Sequence, residues 1–371
     1  MSRDLVVLSH LRWSFVWQRP QHLISRVAAG YDRAWFVEEP EAVTGLAAPT
    51  WQVESAGPVS RVWLQVPAYA AMQGYDAAAC KAYAAELPQV LGETAGERAV
   101  WLYTPMALDV ARALAPTLLV YDVMDDLASF RFAPPELVLR QRQALREADL
   151  VFTGGRSLHR SIQEHRSKRA HCFPSGVEPE HYAPAKRVRR SQRRSRPVAG
   201  YVGVIDERLD LDLIAELADE LHDWHIQMVG PVVKIDEADL PQAANLEYPG
   251  SRTYKELPAV MGGFDVALMP FALNEATRSI SPTKTLEYFA AGLPVVSTRV
   301  PDVVADYQDS VWLADDARDF AKACDIALNE CPDGRAERLA PILRRQHWDA
   351  IAARMTSLID DASAAATGKT A

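Results

Sequence analysis

The sequence predicts an α/β protein made of two doubly wound, parallel-sheet domains, and three observations predict it. Short apolar runs alternate with helical patterns, the alternation breaks at one basic segment and then restarts, and 371 residues exceed one ordinary core. The first series is LVVLS at 5–9, AWFVE at 34–38, AVWLY at 99–103, TLLVY at 117–121 and DLVFT at 149–153. The second is VAGYVG at 198–203, HIQMVG at 225–230, NLEY at 245–248, FDVALMP at 264–270, PVVS at 294–297 and SVWLA at 310–314. Runs this short and apolar suit strands buried on both faces. Ligands bind beyond the carboxyl ends of such strands, so two domains facing each other would enclose an interdomain cleft.

The break is KRVRRSQRRSR at 186–196, with seven Lys or Arg in a chain of net charge −9, which leaves −16 on the rest. A run of like charge reads as a solvated linker between an N-terminal domain at 1–185 and a C-terminal one at 197–340. It also offers anionic headgroups at the inner face of a membrane roughly 1 kcal/mol per basic residue. The acidic body argues against nucleic acid as a partner, since that affinity comes from phosphate neutralisation. Trp348, Ile351, Ala352, Met355, Leu358 and Ile359 recur at helical spacing, so 341–362 should hold a helix whose apolar stripe must pack on something, with 363–371 a flexible tail.

No apolar run reaches the ~20 residues of a membrane span, and MSRDLVVLSHLRW is too short and polar for a signal peptide, so the expected location is the cytoplasm. Cys80, Cys172, Cys324 and Cys331 show neither a C-x-x-C pair nor metal-ligand spacing with histidines, and read as core thiols.

The stretch SISPTKTLEYFAAGLPVVS at 279–297 spells helix start, helix stop and strand. Ser281 suits the N-cap, Pro282 the first helical position and Gly292 the left-handed end. This helix follows the strand FDVALMP, so its N-terminus falls at the carboxyl edge of the second sheet, where unpaired N–H groups and the helix dipole favour an anion. Lys284 in the first turn opposes that dipole and makes sense beside a bound phosphate. Glu287 could accept two hydrogen bonds from a vicinal diol such as a ribose. The alternative is a plain i,i+3 surface pair worth ~0.2–0.5 kcal/mol. Gly203 ends a strand and fits either a backbone approaching a ligand or a simple turn.

SPTKTLEYFAAGLPVVST resembles the donor segment of retaining GT-B glycosyltransferases of the group 1, family 4-like type. WQRPQHL at 17–23, LVYDVMDDLASF at 119–130, ADLVFTGGRSL at 148–158 and FPSGVEPEHY at 173–182 match other segments of that family in order. The resemblance implies two Rossmann-like domains, a C-terminal helix at 341–362 that packs back toward the first of them, and transfer of a sugar from a nucleotide diphosphate sugar to a saccharide or lipid-linked acceptor. It implies no cofactor beyond that co-substrate and no metal. Glu287 takes the place of the family's ribose-binding Glu, while Ser279 stands where a donor-sugar Glu is usual, with Glu275 nearby. Val204 and Leu209 stand where an Arg and a Lys grip the pyrophosphate, leaving Arg208 as the nearest cation. The implied donor contacts are thus Gly203, Arg208, Ser279, Ser281, Thr283, Lys284 and Glu287.

In the first domain, YDVMDD at 121–126 brings Asp122, Asp125 and Asp126 to the end of a strand. Asp122 and Asp125, with Lys284, are the catalytic candidates, orienting sugar or acceptor, and Asp126 suits a helix cap. The loop SHLRWSFVWQRPQH supplies His10, Trp13, Trp17 and Arg19 as acceptor contacts, because aromatic faces with polar neighbours suit sugar rings. One of the two Trp rings is expected in the core, and His22, inside the following helix, reads as structural. Rival readings are a nucleotide-sugar epimerase on the same fold and a scaffold whose donor site has degenerated.

Overall fold

A computed structural model describes residues 2–14, 17–70, 72–94, 96–125, 135–166, 170–191, 195–274, 277–278, 280 and 283–367. The chain divides into two compact units, one of Met1–Gly154, Leu158–Phe173 and Ile351–Ala371, the other of Gly155–Ser157 and Pro174–Ala350.

Unit 1 holds strands β1 (Arg3–Leu8), β2 (Arg33–Val37), β3 (Glu41–Val43), β4 (Thr50–Ala56), β5 (Val59–Pro67), β6 (Glu97–Leu102), β7 (Leu118–Val123), β8 (Leu150–Thr153) and β9 (His171–Cys172). They line up as β3-β5-β2-β1-β6-β7-β8-β9, with β4 on β5 as the antiparallel pair. Val6 pairs with Trp35 on one side and Val100 on the other, and the Leu5–Leu8 side chains are fully buried, as a two-face-covered strand requires. The order reverses at β1, so the crevice at the carboxyl ends lies between the segments that follow β1 and β6.

Unit 2 holds β10 (Val198–Val202), β11 (His225–Val229), β12 (Leu246–Glu247), β13 (Val266–Met269), β14 (Val295–Ser297) and β15 (Trp312–Leu313). All pair in parallel in the order β12-β11-β10-β13-β14-β15, the dinucleotide-fold arrangement 3-2-1-4-5-6. Its switch point lies between β10 and β13.

The eleven apolar runs all contain strands, while β3, β4, β5 and β9 are additions. Two boundaries move. The units divide after Phe173, and the basic run is not a plain linker: Pro184–Ser191 is a helix of unit 2. Arg189 donates from Nε to the Phe264 carbonyl at 2.8 Å, from Nη1 to Gly292 at 3.1 Å, and from Nη2 to Ala291 at 3.2 Å and Met261 at 3.3 Å. The guanidinium thus caps carbonyls at the ends of the helices Leu257–Gly262 and Thr283–Ala290, and this holds the helix down. Gly262 lets it approach, since a Cβ there would lie 2.5 Å from Val188 Cβ.

The last helix runs Trp348–Thr367, so it covers part of the expected tail, and Ile351, Met355 and Ile359 are buried within it. Cys80 and Cys324 are core thiols as expected, whereas Cys172 is half-buried and Cys331 exposed. Among the described residues no helix is long and apolar enough to cross a membrane, and no His, Cys, Asp and Glu gather as metal ligands.

Candidate active site

In unit 2 the segment after β10 and the helix Thr283–Ala290 flank the switch point. The helix is fastened to the strand by Tyr288, whose buried hydroxyl accepts the Val202 N–H at 2.8 Å. Below it, the Thr285 hydroxyl donates to Met269 Sδ at 3.3 Å. Gly292 ends the helix with φ of 70°, the left-handed conformation expected of it. Ser279, Ser281 and Pro282, like Glu275, lie outside the described residues; Thr283, half-buried, opens the described helix.

Lys284 Nζ donates to Glu287 Oε2 at 2.8 Å, with the two side chains 24% and 14% exposed. The i,i+3 pair is therefore formed, yet its setting is not that of a solvated face. Four tyrosines surround the carboxylate: Tyr182, Tyr201 and Tyr288, all buried, and half-buried Tyr254. Burial first, and the Glu287 charge among the lesser causes, push all four hydroxyls above their ordinary value. The His181 ring stacks on Tyr254 at 3.8 Å and 2° between planes, and Tyr254 donates to Glu178 Oε2 at 3.3 Å. Sequence reasoning passed over these tyrosines, which come from four separate stretches of the chain.

Arg208 is half-exposed and aimed by buried Asp206, with Nε to Oδ1 at 2.9 Å and Nη2 to Oδ2 at 2.8 Å. Gly203 has an internal reason for being glycine: a Cβ would sit 2.4 Å from the Tyr201 hydroxyl. A Cβ on Gly230 would in turn lie 1.7 Å from the Gly203 carbonyl oxygen. Packing on Tyr201 is thus an internal reason for glycine at 203, and the Gly203 carbonyl is the reason for glycine at 230.

At the carboxyl end of the unit 1 sheet, Arg19 and Asp122 are corrected from ligand contacts to a buried pair, 4% and 0% exposed. Arg19 Nη1 also donates to the Phe173 carbonyl at 2.7 Å. Burial opposes the Arg19 charge and Asp122 more than offsets it, since two opposite charges taken out of water must pair. Trp13 is likewise a core residue, its ring 5.0 Å from Phe36 and its backbone N–H donating to Glu38 Oε1 at 2.9 Å. Trp17 is the ring left at the surface, 39% exposed and oriented by an Nε1 bond to His22 Nδ1 at 3.0 Å.

Burial pulls the His10 imidazole below its ordinary value, and among the described residues its Nδ1 has no hydrogen-bond partner. Asp125 is exposed beyond the end of β7, and Asp126 lies outside the described residues. One more carboxyl was missed from the sequence: Glu39, just past β2, is pushed up to about 7 by burial, with Arg12 working against the shift.

Two doubly wound parallel sheets, one ending in a cation, a carboxylate and a helix N-terminus at its switch point, define the class: the fold is that of GT-B glycosyltransferase structures. Residues 196–330 match the family model described as glycosyl transferases group 1. A curated relative is TuaH of Bacillus subtilis (strain 168), provisionally named a teichuronic acid biosynthesis glycosyltransferase, 28% identical over 220 residues. That match takes in 56% of this chain and 55% of TuaH, so the chain spans about half the length of its relative.

Among solved structures, the α,α-trehalose 6-phosphate synthase of Burkholderia multivorans superposes with a TM-score of 0.71 at 15% identity, over 100% of this chain and 99% of that one. Sucrose-phosphate synthase of Thermosynechococcus elongatus gives 0.70 at 14% identity, over 98% and 100%. Anabaena HepE in complex with UDP-glucose gives 0.69 at 15%, over 97% and 100%.

Proposed function

We propose that the chain is a retaining glycosyltransferase that moves a sugar from a nucleotide diphosphate sugar to a saccharide or lipid-linked acceptor in polysaccharide or cell-envelope biosynthesis. The observation that carries this reading is the Lys284–Glu287 pair on a helix fastened beside the switch point of a dinucleotide-type sheet. Glu287 takes the two ribose hydroxyls, and Lys284, Arg208 and the helix N-terminus take the pyrophosphate.

The bond from the sugar C1 to the phosphate oxygen breaks, its electron pair staying on that oxygen. The acceptor oxygen bonds to C1 on the same face and passes its proton to the departing phosphate. No enzyme carboxylate pair and no metal is needed for that route. In unit 1, His10, Trp17 and Asp125 are the acceptor contacts. The working place is the cytoplasm, at the inner face of the membrane when the acceptor is lipid-linked.

The test is thermal unfolding with UDP, GDP, ADP and TDP. UDP comes first because HepE, a structural neighbour, is described in complex with UDP-glucose. A ligand at a hundred times its dissociation constant adds ~2.7 kcal/mol of stability. One nucleotide should shift the curve, and Glu287→Ala should abolish that shift. The second reading, a scaffold with a degenerate donor site, is favoured by Lys284 and Glu287 already satisfying each other and by Arg208 being held by Asp206. It takes over if no nucleotide moves the curve.

A further inference from the structure

We propose that unit 1 carries a second ligand site, a cleft that takes a phosphate group between the β9 edge of its sheet and the last helix. The cleft has a volume of about 530 Å³, within the ~300–1,000 Å³ usual for small-molecule sites. His159, His171, Cys172, Phe173, Arg354 and Ser357 line it, from three elements of the same unit. Two imidazoles, a guanidinium and a hydroxyl converge there, and no carboxylate lines it.

The cationic wall is ordered. The Arg354 guanidinium is held 5.4 Å over the Phe173 ring, and His159 Nδ1 lies 3.2 Å from Thr153 Oγ1 at the end of β8. A planar guanidinium presents two parallel N–H groups to phosphate oxygens, and imidazoles add donors beside it. Phe173 and Leu358 give the rest of the ligand an apolar floor.

The cleft is separate from the donor residues, which belong to unit 2. Its wall is not isolated from the sheet end, since the Phe173 carbonyl receives Arg19 Nη1 and Arg19 holds Asp122. The same chemistry fits a free phosphate ester and a phospholipid headgroup.

The experiment uses the full chain with two probes: glycerol 3-phosphate by calorimetry, and cosedimentation with phosphatidylcholine vesicles with and without phosphatidylglycerol. Saturable binding is expected, weakened about tenfold or more by Arg354→Gln, which removes the fork, and by Ser357→Glu, which adds a repelling carboxylate. Both substitutions fall at exposed positions, so each variant should melt as the native chain does. Binding of glycerol 3-phosphate alone identifies a free ester as the source, and binding of the anionic vesicles alone identifies a headgroup. If neither probe binds the native chain, or if both variants bind as it does, the site does not exist.

Discussion

Arg19 and Asp122 meet inside unit 1 through two parallel contacts, Nε to Oδ2 at 3.0 Å and Nη2 to Oδ1 at 2.9 Å. Both side chains are shut off from solvent, so the pair fixes the start of the helix Arg19–Val27 against the end of β7 instead of meeting a ligand. Removing one partner strands the other charge. Asp122→Ala should therefore cost unit 1 about 3–5 kcal/mol in urea unfolding. A loss below ~1 kcal/mol would show that water reaches the pair.

Glu287→Ala is expected to act on binding beyond its effect on folding. Glu287 is only 14% exposed and is a partner of Lys284 and of the buried Tyr182 hydroxyl, so the chain without ligand should lose about 1–3 kcal/mol of stability. Nucleotide affinity should fall by ~1.5–3 kcal/mol for each lost hydrogen bond to the carboxylate, measured by calorimetry. Equal affinity in variant and native chain excludes Glu287 as a ribose ligand.

Arg189→Ala should destabilise unit 2 by about 1–3 kcal/mol, because it removes four guanidinium bonds and takes the Arg189 donor from the Phe264 and Ala291 carbonyls, while Met261 keeps the Phe264 N–H and Gly292 keeps Arg335 Nη2. Arg189→Lys should recover little of that, since an ammonium cannot span four acceptors. Full recovery by Lys in a denaturant titration would mean that charge alone holds the helix.

Glu39 gives a pH signature. Its folded-state value is raised from 4.5 to about 7 by burial, so the folded chain holds a proton that the unfolded chain releases. Stability from this group is therefore lost as pH rises from about 4.5 to 7, and below that window both states are protonated. Glu39→Gln should be more stable than the native chain at pH 8, by ~3 kcal/mol at most, with the gap closing by pH ~4.5. A gap that stays constant across this range in urea titrations would exclude the ionisation.

The strands were legible because continuous apolar runs have few other uses, and Gly292 because a left-handed helix end needs it. What escaped the sequence has two physical sources. The strand VSRVWLQVP places Val62, Leu64 and Val66 inward with a period of two, a weaker signal than a solid run, and its antiparallel partner TWQVESA is mostly exposed. The other source is pairing at long range. Arg19 and Asp122 are 103 positions apart, as are Arg189 and Gly292, and nothing local tells a guanidinium that will be buried from one that will stay in water. In the candidate site, Lys284 and Glu287 were visible from their spacing, whereas the tyrosines around Glu287 depend on how four segments meet.

The split of unit 1 along the chain has a consequence for its synthesis. Most of unit 1 leaves the ribosome before unit 2, but Ile351, Met355 and Ile359, which belong to unit 1, leave it after unit 2. Unit 1 is thus begun before unit 2 and completed after it, and the surface that awaits the helix Trp348–Thr367 stays uncovered while unit 2 is translated and folds. Truncation near residue 350 should accordingly harm unit 1 more than unit 2.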